Sequence, residues 1–448
     1  MIRHFIIENQ FEYLKKKYNL IYFFSKNKKR ISTDIKKLNI KDKLVSVEID
    51  LKRKKYNTLL GYVGKINNAR RKKNLKFKKA AINQIRIRLN SKRLFFSYLI
   101  FSLKMIYPIY SWIYRKVKIG FNNSLNAQIK KHKLSLIIHP TVLDGDLVSD
   151  LIELGNRNNI PTLLLMNSWD NCTSRAFTSG RPSKYLVWGD LTKKYASENL
   201  NLPLKSIDKI GCAQFEIYKN KAIISKKNYR KKLGIKENEF LICYAGSNIG
   251  IDETKHLEIV DKEISQNNSK IKILYRPHPW KKIHNNEISF FKKKFRNVKM
   301  DYYSINRYKN LFSKKPKKIP ISTVDYKQTN IVIKSIDAAL VPMSTFAIEC
   351  AINKVPISLY VPKDKKEFSS DVIIESDYFQ FLINALKPIL CLGEKNLFNC
   401  IKKLKKFSFK DKDLNRINKL VLKSNISYKV RLFNYIEEFF FKLNRYEK

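Results

Sequence analysis

Small polar residues and one carboxylate stand at the start of a helical pattern in VPMSTFAIECAINKVPISLY, residues 341–360. Ser344 occupies the point where a strand gives way to a helix, and Thr345 follows in the first turn. Free backbone N–H groups and hydroxyls at a helix start favour an anion. Glu349 follows one turn later, where it can accept hydrogen bonds from sugar hydroxyls. The alternative is that Ser344 only caps the helix and Glu349 is solvated.

Two further groups of residues follow apolar runs of the same half of the chain. Arg276 and His278 alternate with prolines in LYRPHPW. Proline restricts the backbone, so this pair is suited to holding a diphosphate, although a lone histidine after a strand is often structural. Gly246 and Ser247 follow another apolar run, where glycine lets a ligand approach the backbone. Because all three groups follow strands of one predicted sheet, we expect them to face one crevice.

Short apolar runs alternate with amphipathic stretches along most of the chain, which predicts an α/β fold. The runs begin near residues 134, 161, 184 and 205, and again near residues 238, 270, 336 and 355. We therefore predict two Rossmann-like domains facing across a cleft at the carboxyl ends of their sheets. The predicted ranges are 1–226, with a basic and aromatic helical insertion at about 67–119, then 227–410, and helices at 411–448 that pack back on the domains.

Charge dominates the composition of the 448 residues, because 91 Lys and Arg stand against 38 Asp and Glu, a formal net charge of +53. Such a charge is compatible with nucleic-acid binding. The lysines lie along the whole chain with many Asn and Ile residues, so we favour a compositional bias on solvated faces. The surface is still expected to attract anionic membranes or substrates.

Cysteine spacing and the N-terminal sequence bear on the compartment. The six cysteines lie singly, without a CxxC pair or a histidine at ligand spacing, which indicates reduced thiols and no zinc site. The first apolar run is broken by His4, Glu8 and Asn9, unlike a signal peptide. We therefore expect a cytoplasmic protein.

Residues 94–116 form the most apolar window and are flanked by basic residues. A spanning helix would carry Lys104 and Pro108 near its middle, where a charge costs about 3 kcal/mol. Two interpretations stay open: a buried helix pair broken near Pro108, or a helix lying in a membrane interface.

An ordered set of motifs resembles a known family. GCAQFEIY, FLICYAGS, YRPHPW and DAALVPMSTFAIECAINKVPI are similar to bacterial two-Rossmann-domain (GT-B) transferases of cell-surface polysaccharide synthesis, such as those of capsule and lipopolysaccharide. The same order is similar to the CDP-glycerol glycerophosphotransferase group. MNSWDNCTSR, residues 166–175, resembles an element of the acceptor-side domain. The resemblance covers roughly residues 134–362.

The resemblance implies a nucleotide-activated donor as substrate, without any cofactor. Its contacts would lie in the second domain, at Gly246, Ser247, Arg276, His278, Ser344, Thr345 and Glu349. The acceptor would enter from the first domain, with Asp144 as the base and Asp170 as a group that positions the acceptor; His139 competes for the role of base. We expect Arg276, His278 and the helix dipole to stabilise the leaving group without a metal ion.

The leading hypothesis is a metal-independent glycosyltransferase that acts on a glycan or lipid-linked acceptor, in the cytoplasm or peripherally on the inner face of the plasma membrane. The first alternative moves a polyol phosphate from a CDP-linked donor. A sugar-nucleotide epimerase and a nucleic-acid-binding protein are the remaining alternatives, and no specific nucleic-acid partner is expected.

Overall fold

The computed structural model describes residues 2–25, 43–48, 50–89, 91–141, 147–173, 177–178, 180–247, 251–278, 290–291, 293–309, 326–362 and 374–446. The chain divides into two compact units. Unit 1 contains Met1–Ala213, Glu375–Tyr378 and Asn418–Lys448. Unit 2 contains Gln214–Ile374 and Phe379–Ile417, so the predicted limit between residues 226 and 227 lies inside unit 2.

Unit 2 is built on a six-stranded parallel sheet, which confirms the predicted α/β class. Short apolar runs form its strands, and the inner ones are buried along nearly their whole length, as expected for a sheet with helices on both faces. The strands are β7 (Phe240–Ala245), β8 (Ile271–Arg276), β9 (Val298–Met300), β10 (Ala338–Val341), β11 (Ile357–Val361) and β12 (Ile389–Leu392).

The strand order of this sheet is β12-β11-β10-β7-β8-β9, with every neighbouring pair parallel. The chain builds outward from β7 to β9, then crosses to β10 on the other side of β7 and continues to β12. This is the Rossmann order, and it places the change of direction between β7 and β10.

Unit 1 carries a four-stranded parallel sheet with the order β3-β4-β5-β6 and a separate parallel pair, β1-β2. The strands are β1 (Ile21–Ser25), β2 (Lys43–Val47), β3 (Ile137–Thr141), β4 (Thr162–Met166), β5 (Lys184–Val187) and β6 (Ile207–Lys209). The apolar run at 205–218 is therefore a strand only at its start. Gly211 takes a left-handed φ of +83°, and a 3₁₀ helix, Ala213–Lys219, follows.

Seventeen α-helices are found in the described part of the chain. The first nine are α1 (Glu12–Lys17), α2 (Leu51–Arg70), α3 (Leu75–Leu89), α4 (Lys92–Phe101), α5 (Ile106–Ile113), α6 (Asn123–Lys131), α7 (Val148–Arg157), α8 (Asp190–Leu200) and α9 (Lys226–Lys232). The others are α10 (Glu253–Gln266), α11 (Tyr302–Lys309), α12 (Tyr326–Ser335), α13 (Thr345–Ile352), α14 (Asp377–Leu386), α15 (Leu397–Lys405), α16 (Asp411–Leu420) and α17 (Tyr428–Tyr446).

Helix α17 completes the main core of unit 1. Its Leu432 and Ile436 are buried in one cluster with Phe5 from the start of the chain and Leu163 and Leu165 from β4. The helix is also tied to the end of the sheet, because the Tyr435 hydroxyl donates to Asp208 Oδ2 at 2.7 Å. The C-terminal helices were predicted to pack back on the domains, and α17 packs on the sheet of unit 1.

The basic and aromatic segment of unit 1 folds into helices α2 to α5, beginning earlier than the predicted position near residue 67. The apolar window breaks at residues 102–105, and Pro108 lies in the first turn of α5, where no backbone N–H is needed. Across the described residues, no single helix is both long and apolar enough to span a bilayer. Lys92–Phe101 and Ile106–Ile119 satisfy those criteria only as a pair, bent by 111°.

Candidate functional site

The seven residues predicted to contact a donor lie at one edge of the unit 2 sheet. Strands β8, β7 and β10 are neighbours, so their carboxyl ends and the segments that follow them are adjacent. Gly246 and Ser247 follow β7, His278 follows β8 after Pro277, and Ser344 follows β10. In open α/β sheets ligands bind outside the carboxyl ends of the strands, where the chain changes direction. The segments after β7 and β10 flank that point.

Ser344 is the N-cap residue of α13 and has an extended backbone, with φ −151° and ψ 165°. Its side chain makes no capping hydrogen bond, and its Oγ is buried without a partner among the described residues. A buried hydroxyl that lacks a partner costs about 1–3 kcal/mol. The simple capping interpretation therefore does not explain this serine, whereas an acceptor group at the start of α13 would satisfy its hydroxyl.

Gly246 is required by close packing between two segments of the protein itself. A Cβ atom at this position would lie 2.7 Å from Glu253 Oε2 and 2.8 Å from the backbone nitrogen of His278. The Gly246 N–H donates to the Arg276 carbonyl at 2.8 Å, which joins the ends of β7 and β8. Sequence analysis predicted that a ligand approaches the backbone closely at Gly246. In the structure, Glu253 and the backbone of His278 occupy that space.

Glu253, at the start of α10, fixes the segment after β7. It is only 2% exposed, and its Oε1 accepts from the Ser247 N–H at 2.5 Å. Its Oε2 accepts from the Tyr275 hydroxyl, also at 2.5 Å. The Ser247 N–H is therefore already bonded, and the carboxylate beside it disfavours a second anion at this segment. Sequence reasoning missed Glu253, although an acidic residue in the first turn of a helix after a glycine-containing segment was a usable signal.

Arg276 is enclosed by groups from three elements of unit 2. Its guanidinium donates to Thr329 Oγ1 at 2.7 Å, lies 3.9 Å from Asp301 Oδ2 and stacks on the ring of Phe346 at 5.0 Å. Burial works to lower the pKa of Arg276, but Asp301, with help from Glu349, more than offsets this and raises it. Arg276 thus holds a fixed positive charge, with a side chain 14% exposed, against α13.

Glu349 is buried, not solvated, in α13. Tyr218 lies near it: burial first, and then the charge of Glu349, raise the pKa of the Tyr218 hydroxyl far above its usual value. Asp301 is held in turn by the Tyr229 hydroxyl, at 2.8 Å. Buried polar and charged groups therefore surround Arg276 and extend to Glu349 of α13. Sequence reasoning missed Asp301, Thr329 and the tyrosines, since nothing in their spacing links them to Arg276.

The acceptor-side residues predicted in unit 1 are described in part. Asp144 lies outside the described residues. Asp170 is half-buried in the 3₁₀ turn Trp169–Cys172, directly after β4. Asn171 closes this turn, because its Oδ1 accepts from the backbone N–H groups of Asn167 and Ser168 at 3.2 and 2.9 Å.

His139 lies in β3, and its Nδ1 is buried with no hydrogen-bond partner within the described chain. Burial lowers the pKa of His139 to about 4, so the imidazole is neutral near pH 7. A neutral imidazole can accept a proton, but the lowered pKa makes His139 a weaker base near pH 7, which does not favour it over Asp144. No group of three or more His, Cys, Asp or Glu residues that could hold a metal ion occurs in the described ranges.

Comparisons with known proteins give weak similarities. No family model matches the chain, and no curated protein matches it. The fold is similar to UDP-GlcNAc 2-epimerase from Methanocaldococcus jannaschii in complex with UDP-GlcNAc and UDP, at 14% identity and a TM-score of 0.44, covering 69% of this chain and 78% of that chain. For UDP-GlcNAc 2-epimerase from Neisseria meningitidis bound to UDP-GlcNAc, the identity is 11% and the TM-score is 0.44, and the similarity covers 70% of this chain and 79% of that chain.

A third solved structure, of the wall teichoic acid polymerase TagF, is 16% identical with a TM-score of 0.35, and the similarity covers 60% of this chain and 59% of that chain. Neither a family nor a substrate follows from similarities at this level.

Proposed function

We propose that unit 2 binds the diphosphate of a nucleotide-activated donor, and that the protein is a cytoplasmic glycosyltransferase of surface-polysaccharide synthesis acting on a glycan or lipid-linked acceptor. One observation carries the donor site: the buried, unpartnered hydroxyl of Ser344 at the start of a helix, where the Rossmann-ordered sheet changes direction. The dipole of α13 favours an anion there, and Arg276, paired with Asp301, lies against Phe346 of the same helix.

The proposal assigns different roles to the predicted contacts. Ser344 and Thr345 would bind phosphate oxygens directly, and His278 would approach from the end of β8. Arg276 would act as a positioning residue and contribute positive electrostatic potential without touching the ligand, since its guanidinium is engaged with Thr329, Asp301 and Phe346. Departure of the nucleotide leaves negative charge on phosphate, which these groups would stabilise. In unit 1, Asp144 or His139 would accept the proton of the acceptor hydroxyl, and Asp170 would position it.

A thermal-shift panel with UDP, GDP, CDP, CMP and dTDP tests the donor site. A nucleotide at about 100 times its Kd stabilises the folded state by about 2.7 kcal/mol, so one of them should raise Tm. Ser344→Ala should leave Tm without ligand unchanged or slightly higher, because the lost hydroxyl has no partner. The same change should raise the nucleotide Kd by about 10- to 100-fold, because it removes a hydrogen bond to a charged phosphate group.

Ser335→Ala is the matched control, because Ser335 Oγ in α12 is also buried and without a partner in the described part of unit 2. It should bind the nucleotide like the wild type. Equal losses in both variants, or no stabilisation by any nucleotide in folded protein, would contradict the donor site.

Products separate the proposed reaction from its alternatives. A sugar transferred to the acceptor with release of a nucleotide supports the glycosyltransferase. Phosphorus in the acceptor product, with release of CMP, would identify transfer of a polyol phosphate. Conversion of the donor with no acceptor present would identify an epimerase.

A further inference from the structure

Helices α4 and α5 form a bent hairpin in unit 1 that exposes a large apolar surface. Of the 23 large apolar side chains that are exposed in the described chain, ten lie between residues 94 and 117. We call these ten residues the hairpin face: Leu94, Phe96, Ile100, Leu103, Met105, Ile106, Ile109, Trp112, Ile113 and Val117. Met105, in the turn, is 87% exposed, and Trp112 is 64% exposed.

The other side of the same hairpin is an ordinary protein core. Phe95 and Tyr98 of α4 are buried, and Tyr98 packs in one cluster with Val63 and Ile66 of α2. The hairpin is thus anchored by one side while its opposite side presents aromatic and aliphatic groups to solvent. Scattered exposed apolar residues are normal, but a concentration of this kind marks an interaction surface.

Charge around the hairpin face identifies the occupant. From residue 51 to residue 120 the sequence contains 20 Lys and Arg residues and no Asp or Glu. Exposed lysines lie at both ends and in the turn, at Lys92, Lys104, Lys116 and Lys118. A rim of a single positive sign matches an anionic lipid surface, where each basic residue contributes about 1 kcal/mol of attraction. Lysine can bury its stem and keep its ammonium group among headgroups.

Geometry limits how deeply the hairpin can enter a bilayer. The helical segments Lys92–Phe101 and Ile106–Ile119, of 10 and 14 residues, measure about 15 and 21 Å, whereas a bilayer core is about 30 Å thick. The 111° bend prevents the pair from acting as one straight span. Helices of this type lie in the interface, with the apolar face about 5–10 Å deep. Trp112 is the kind of residue enriched at that depth.

We propose that the hairpin face docks on an anionic bilayer surface, with Met105 and Trp112 below the headgroups and the lysines among them. The inference does not depend on the donor site of unit 2. Vesicle binding and nucleotide binding are measured separately, so either proposal can fail without the other.

Flotation of the full chain with phosphatidylcholine vesicles, with and without phosphatidylglycerol, tests the docking. The triple variant Phe96→Glu, Ile109→Glu and Trp112→Glu should remain folded, since all three side chains are exposed. Its partition onto anionic vesicles should fall by about tenfold or more, because the face would then carry charges into the interface.

A matched control changes three exposed apolar residues elsewhere, Leu204, Ile223 and Ile426, to Glu. It alters net charge by the same amount and should float like the wild type. If both triple variants lost vesicle binding equally, net charge alone would explain the binding, and the proposal would be overturned. Absence of wild-type flotation with anionic vesicles at low salt would also overturn it. So would sedimentation data showing that the hairpin face joins two copies of the chain and does not bind vesicles.

Tryptophan fluorescence locates the contact. Of the four tryptophans, Trp169 and Trp188 are buried, Trp112 is exposed and Trp280 lies outside the described residues, so vesicles should shift the emission of Trp112 to shorter wavelength. Trp112→Phe should remove this shift while keeping flotation. A shift of unchanged size in Trp112→Phe would place the contact elsewhere and overturn the proposal.

Discussion

Ser247 and Ser344 both follow strands at the same sheet edge, but their surroundings differ. The Ser247 N–H is bonded to the Glu253 carboxylate at 2.5 Å, whereas the Ser344 hydroxyl has no partner in the described chain. An internal carboxylate thus takes the place of an anionic ligand at the first serine and leaves the second open. We therefore expect a diphosphate to bind nearer to α13 than to Gly246.

His139 predicts a dependence of stability on pH. Its folded-state pKa is about 4, against 6.5 for an exposed histidine, so the unfolded state takes up the proton first. The contribution of His139 to the free energy of unfolding is therefore constant above about pH 6.5 and falls as the pH drops from there toward 4, by at most about 3 kcal/mol. Urea unfolding of the full chain at several pH values measures how the free energy of unfolding changes with pH, and His139→Gln should make this slope smaller.

The same slope in wild type and His139→Gln would show that His139 is not the group that titrates.

At the scale of elements, the ends of β7 and β8 are held together at Gly246. Gly246→Ala would place a methyl group against the Glu253 carboxylate and the His278 backbone, and we expect a loss of about 1–3 kcal/mol in unfolding free energy. Hydrogen exchange of β7 amides reports the stability of unit 2. Nucleotide affinity should also fall, because the segment carrying His278 must move.

Gly234→Ala is an informative control in the same unit. Gly234 has a φ of +69° with open space around its Cβ position, so alanine there adds backbone strain of about 1–2 kcal/mol without a clash. It should reduce stability and leave nucleotide affinity unchanged. A similar loss of affinity in both variants would mean that stability alone, not the geometry beside His278, controls binding.

Sequence predicted the strands of unit 2 well where an apolar run was long enough. The runs that became β7, β8, β10 and β11 were identified because buried parallel strands are continuously apolar. The strands β9, of three residues, and β12, of four, were missed because such short runs carry no periodicity. The strand order could not be read from local pattern, since it depends on pairing between distant segments; the same reason hid Asp301 from the predicted site.

At the scale of the whole molecule, unit 1 is assembled from both ends of the chain. Leu432 of α17 is fully buried among residues from the start of the chain and from β4. Leu432→Ala should lower the stability of unit 1 by about 2–5 kcal/mol, through lost burial and the cavity left behind. Hydrogen exchange of the β4 amides should accelerate accordingly.

Phe441→Ala, on the same helix but 59% exposed, is the control and should change the stability of unit 1 by no more than about 0.5 kcal/mol. Equal effects of the two substitutions would contradict the assignment of α17 to the core of unit 1.

The dependence of unit 1 on α17 has a consequence for synthesis. Unit 1 residues up to Ala213 are separated from α17 by 214 intervening residues, which take roughly 10–40 s to translate at about 5–20 residues per second. During that interval the apolar side of the β4 strand lacks Leu432 and Ile436. The last residue of unit 2, Ile417, is made before α17 begins. The unit that starts first at the ribosome therefore completes its core last, and its nascent sheet stays incompletely covered until α17 is made.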